Sequence, residues 1–158
     1  MNVPDRPLHA EEPERPPEPA IDLRPHPGVL GCVVVGGALG ALARYGVSRV
    51  VHVPTDGFPR ATFAINLSGA FALGCLLAFV QARHWTAKYA RPLFGLGFCG
   101  AFTTFSTLAV ETVTLIKDGH LGLGVAYLLA SVACGLGTCA LGVRIGRVAA
   151  GLSLSGRT

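Results

Sequence analysis

Charged side chains are what this chain of 158 residues is short of. Lys, Arg, Asp and Glu make up 14% of it, where a soluble domain carries about a quarter. None lies between Gly28 and Ala43, Ala61 and Ala82, Pro92 and Val110, or Leu121 and Val143. Six of the nine acids precede residue 28, leaving Asp56, Glu111 and Asp118 for the rest. A chain this poor in polar surface cannot cover itself in water, so an ordinary soluble domain is excluded. Its five cysteines, at 32, 75, 99, 134 and 139, are odd in number, sit inside apolar runs and match no zinc or disulfide spacing. They read as small hydrophobes. No Cys/His/Asp set stands at reactive spacing, and His9, His26, His52, His84 and His120 lie in the N-terminal tail or near span ends, so no enzyme is expected. The formal charge of +4 comes from cations placed singly, without a patch or interleaved aromatics, so nucleic acid is not an expected partner.

What is present is apolar length. A bilayer crossing takes about 20 residues at about 1.5 Å each. Three of the charge-free runs meet this directly. The first, 28–43, is short and needs continuation past Arg44 through Val47, Val50 and Val51. The pattern predicts an all-α membrane protein with four transmembrane helices, over about 28–51, 60–82, 91–117 and 120–146, the lipid bilayer being its surroundings. The loop "HVPTDGFPR" and the turn "KDGH" carry Pro, Asp and Gly as turn residues. Trp85 and Tyr89 suit an interfacial belt.

Residues 1–27 hold eight of the eleven prolines and read as a disordered Pro/Glu-rich extension with no signal peptide; 28–150 form the membrane domain and 151–158 a flexible tail. With four crossings, both termini and the 82–91 loop share one side. That side carries Arg6, Arg15, Arg24, Arg83, Lys88, Arg91, Arg144, Arg147 and Arg157, which predicts cytoplasmic termini. Gly36 with Gly40, and Gly142 with Gly146, stand at helix-packing spacing.

A few groups are costly to bury. Asn66 sits inside an apolar span, either as a helix–helix hydrogen bond or as a donor lining a polar path. Arg44 either snorkels to headgroups or lies below the water level, facing a cavity where its charge would gather anions. Glu111, Thr107 and Thr104 fall at i, i−4 and i−7, a polar track or merely a helix end reaching water. In "GFCGAFTTFST", residues 97–107, Gly97 and Gly100 weaken a helix while Thr103, Thr104, Ser106 and Thr107 can bond freed backbone groups. The stretch predicts a helix interrupted near Gly100–Thr104; the other reading is a continuous helix with back-bonded hydroxyls. A break would expose carbonyls able to hold a hard cation, and phenyl ring edges can touch an anion.

These residues carry a resemblance. "GGALGALARY" (36–45), "INLSGAFALG" (65–74) and "GFCGAFTTFSTLAVE" (97–111), on three successive spans, resemble the fluoride-specific ion channel family, CrcB/Fluc. The resemblance covers residues 28 to about 147. It implies a fluoride channel of the plasma membrane, built as an antiparallel, dual-topology homodimer with two anion pores and a structural, untransported Na⁺. It assigns the Na⁺ to backbone carbonyls of Gly100 and Thr103. It implies pore roles for Asn66, Phe105, Thr104, Ser106, Thr107, Arg44 and Glu111, with Ser131 and Thr138 as fourth-helix candidates. Where the family has a second pore phenylalanine, this chain has Leu108. Insertion both ways also differs from the single orientation that the cation bias predicts. Two rival classes are a small four-helix proton-coupled multidrug exporter, which would need a carboxylate in the first span, and a non-transporting scaffold subunit.

Overall fold

A computed structural model of the chain describes residues 26–51, 57–82 and 87–151. The expectations for 1–25, for Trp85 and for 152–158 fall outside these. Every regular element among the described residues is helical: α1 (Pro27–Val50), α2 (Arg60–Ala82), α3 (Ala87–Ala90), a π-helical stretch (Arg91–Cys99), α4 (Gly100–Phe102), α5 (Phe105–Lys117) and α6 (Leu121–Ala149). Four segments, Pro27–Val50, Arg60–Gln81, Lys88–Lys117 and Leu121–Ala149, are long and apolar enough to cross a membrane. The third is assembled from α3, the π stretch, α4 and α5.

The ends follow local chemistry. His26 Nδ1 accepts from the Gly28 N–H at 3.2 Å, and Pro27 opens α1, where a missing N–H costs nothing. Between α5 and α6, Gly119 takes φ +88°, a conformation that side chains resist. Its N–H reaches the Ile116 carbonyl and the His120 N–H reaches Leu115, so the "KDGH" turn closes α5 by the paired bonds that left-handed C-caps make. Tyr89 stands exposed with the Lys88 ammonium 5.4 Å from its ring centroid. All five cysteines are free.

The chain packs as two helix pairs: α2 along α6, and α1 along the π stretch. Both depend on absent side chains. A Cβ on Gly36 would overlap the Leu93 carbonyl oxygen, and one on Gly40 the Phe98 carbonyl oxygen. On α6, Gly142 and Gly146 stand against the carbonyls of Phe71 and Cys75 in the same way. The small-residue spacing is therefore backbone-to-backbone packing, as van der Waals association in lipid requires.

The third span breaks after α4. Thr103 has φ −75°, ψ 156° and Thr104 φ −147°, ψ 118°, two extended residues between helical turns. The interruption expected near Gly100–Thr104 is present, and the continuous helix is not. The preceding π stretch had no signature in spacing; Pro92 lacks a donor there, and Gly95 and Gly97 give no side chains to hold an α register.

Large apolar side chains remain uncovered, among them Leu42, Leu96, Phe105, Leu129 and Leu136. Lipid, or another apolar surface, has to meet them.

Gly36→Ala should lower the thermal midpoint in detergent, at a cost of about 1–3 kcal/mol for overpacking. Gly46→Ala, with nothing within 4 Å of its Cβ, should be neutral or slightly stabilising. Equal effects would contradict the packing described.

Candidate functional site

Thr104 organises the centre of the molecule. In an unbroken helix its N–H would bond the Gly100 carbonyl. Here it donates to Asn66 Oδ1 at 2.9 Å, and Asn66 Nδ2 donates to the Thr104 carbonyl at 3.0 Å. Asn66 is thus both readings at once: a bond between helices, and a group with one N–H to spare among the described residues. Gly69, one turn on, receives the Thr103 methyl, which a Cβ there would displace.

Of the hydroxyls expected to serve the freed backbone, that of Thr104 does so. Thr103 Oγ1 instead returns to the Cys99 carbonyl at 2.9 Å, which already accepts from the Thr103 N–H. Thr104 Oγ1 caps α5 by accepting from the Thr107 N–H at 3.2 Å. Its one proton goes to Thr107 Oγ1 at 3.0 Å, so in the 3.2 Å contact with Ser106 Oγ it is Ser106 that donates. Thr107 keeps its own proton uncommitted among the described residues.

Two cavities flank this node. A groove of about 480 Å³ is lined by Asn66, Gly100, Thr103, Thr104, Phe105, Leu108 and Ser131, with apolar residues of α2 and α6. No charged side chain lines it. Phe105 is 76% exposed, its ring standing at the groove rather than packed into the subunit. Ser131 is 6% exposed, yet its Oγ has no hydrogen-bond partner among the described residues. An unpaired polar atom in such a place costs free energy, so it marks a spot where a ligand or water belongs. The second cavity, about 360 Å³, is lined by Arg44, Tyr45, Ser48, Thr62, Thr104 and Thr107, with Ala41 and Ile65. Arg44 therefore stands at a cavity. Thr104 borders both spaces.

Glu111 does not simply end a helix in water. Its Oε1 accepts from Thr62 Oγ1 at 2.8 Å and its Oε2 from Tyr127 Oη at 2.7 Å, tying α5 to α2 and α6. Tyr127 is fully buried, with Phe58 edge-on to it at 5.2 Å. Neither Tyr127 nor Thr62 stood out in the sequence. A lone Tyr hydroxyl in an apolar run needs a partner, and that requirement was the available signal. Leu108 is buried with Leu115 and Tyr127 and reaches the groove wall.

Ser106 is exposed and borders neither cavity, and the Thr138 hydroxyl is spent on the Gly135 carbonyl at 3.0 Å. For a hard cation, the Gly100 carbonyl has lost its helical donor to Asn66, and Gly100 and Thr103 both line the groove. Oxygen donors of this kind fit Na⁺, and no cluster of three His, Cys, Asp or Glu side chains competes among the described residues.

The chain as a whole is similar to known proteins. A family model described as CrcB-like protein, Camphor Resistance (CrcB), matches residues 31–143. Fluoride-specific ion channel FluC 3 of Streptomyces avermitilis is 43% identical over 122 residues, 77% of this chain and 60% of that protein. Fluoride-specific ion channel FluC 1 of Mycolicibacterium paratuberculosis is 45% identical over 107 residues, 68% of this chain and 81% of its own. FluC of Paracoccus denitrificans is 38% identical over 115 residues, 73% and 91% of the two chains. The match runs from α1 to α6 through the broken third span, and the chain belongs to the CrcB-like family.

Proposed function

We propose that the chain forms a fluoride-selective channel in the plasma membrane, through which F⁻ passes passively and leaves the cell. Such a channel must replace the water around a small, strongly hydrated anion without trapping it. A fixed cation in the groove would bind the ion too tightly, and bare hydrocarbon would not take it. Donors of moderate strength meet both demands, and the groove offers three: the spare Asn66 N–H, the Ser131 hydroxyl and the positive edge of the Phe105 ring. The single observation that carries this reading is the buried, unpartnered Ser131 Oγ in an uncharged groove beside Asn66.

The second cavity supplies the approach. Arg44 raises the local anion concentration, and the uncommitted Thr107 proton offers a first contact below it. Glu111 is not among the residues lining this cavity, and both of its oxygens are engaged by Thr62 and Tyr127.

The functional unit is an antiparallel homodimer, its two copies inserted in opposite directions. A second copy would close the open side of the groove, where Phe105 and the apolar residues of α6 stand uncovered. Two grooves then make two pores. In this assembly Na⁺ is held by the Gly100 and Thr103 carbonyls of both copies. Bound there, it would neutralise carbonyl dipoles that the broken helices bring together, as a structural ion and not as cargo.

Purified protein in liposomes should release fluoride, read with a fluoride electrode, and pass chloride only weakly. Asn66→Asp should reduce fluoride release to the leak of empty vesicles; normal release would remove Asn66 from the pathway. Tyr127→Phe deletes one bond to a carboxylate and keeps the ring. It should lower stability by about 1.5–3 kcal/mol and slow fluoride release severalfold, and no change in either would exclude the Glu111 network from the channel. Replacing Na⁺ with a bulky organic cation should lower the dimer's thermal midpoint, which a carbonyl site without Na⁺ would not do.

A further inference from the structure

The Asn66 amide has two edges, and only one is free to meet an ion. Oδ1 and the hydrogen of Nδ2 lying on the same side as Oδ1 are both spent on a single residue, Thr104, at 2.9 and 3.0 Å. A residue can offer N–H and C=O side by side only when extended, as hydrogen-bonded pairs in antiparallel sheets do. In a helix the two groups point in opposite directions along the axis. Thr104, at φ −147° and ψ 118°, is extended. The break is therefore a precondition for the pairing.

The pairing has a direction. The Thr104 N–H can only donate and its carbonyl can only accept. A half-turn of the Asn66 amide would set oxygen against oxygen and N–H against N–H, losing both bonds. The orientation is dictated by the backbone, and what remains for the groove is the second Nδ2 hydrogen. The neighbouring hydroxyls do not carry a fixed sign in this way. The Ser131 hydroxyl can turn to donate or accept, while the Thr103 and Thr104 protons are already spent on Cys99 and Thr107.

We propose that the Thr104 backbone acts as a positioning group: by clamping one edge of Asn66 with its N–H and carbonyl it forces the other to present a donor, and so sets the groove's preference for anions. This rests on the channel reading given above. The ion's sign is then fixed by a backbone conformation, one step removed from the side chain that touches the ion. Besides the hydroxyl that caps α5, Thr104 then acts through its N–H and carbonyl.

Amide hydrogen exchange at Thr104, in full-length protein in lipid nanodiscs, tests the clamp without any transport. Asn66→Leu should speed exchange there by roughly tenfold or more, as loss of a buried acceptor implies. Asn66→Asp keeps an acceptor for the N–H and should leave Thr104 protected. Unchanged exchange in Asn66→Leu would overturn the clamp. An amide-to-ester replacement at residue 104 deletes the N–H and keeps every side chain, which guards against a variant that fails to fold. It should lower the fluoride-to-chloride flux ratio about tenfold or more, and an unchanged ratio would overturn the positioning role. Wild-type vesicles that pass no fluoride would sink the channel reading and the selectivity half with it, while the exchange pattern still decides the clamp.

Discussion

A helix opened in the middle of a membrane has to satisfy its own backbone, because no water is there to do it. Each unpaired group costs several kcal/mol in hydrocarbon. The Asn66–Thr104 pair meets that demand with two hydrogen bonds from one side chain. The Thr104 hydroxyl takes the Thr107 N–H, which the break leaves without a helical acceptor. Because the break is held open, α5 restarts at Phe105, with its ring at the groove. Remove the pairing, and the start of α5 at Phe105 loses its tie to α2, leaving Glu111 on Thr62 and Tyr127 to hold the rest of that helix.

Close backbone packing places this pair. Asn66 belongs to α2 and Thr104 to the third span, and each is located by glycine contacts elsewhere. Gly142 and Gly146 seat α6 on α2, while Gly36 and Gly40 seat the π stretch on α1. The glycines that look uninformative in sequence thereby set the position of every polar group at the centre. The third span gains two irregularities from this arrangement. Its π stretch presents wide-turn backbone to α1, and its break presents extended backbone to Asn66.

Much of this was legible in the sequence. Charge-free runs gave four spans whose ends lie within a few residues of those observed, because an ionised side chain in lipid is costly wherever it falls. Glycines beside four hydroxyls marked the break, since that pairing of weak helix formers with backbone partners has little other use in hydrocarbon. Other features were not legible. Hydrophobic spacing does not separate a π turn from an α turn within nine residues, so Arg91–Cys99 carried no sign of its register. Glu111 looked like a helix end because its partners, Thr62 and Tyr127, are distant in sequence and ordinary in type. Nor could spacing tell that Thr138 would spend its hydroxyl on Gly135 while Ser131 kept its own unpaired.

An experimental structure of the protein in lipid with fluoride present tests the central claim most directly. The account predicts a second copy over the groove and ion density between the free Asn66 N–H and the edge of the Phe105 ring. Acyl chains filling that groove, with Phe105 turned to lipid, would contradict it.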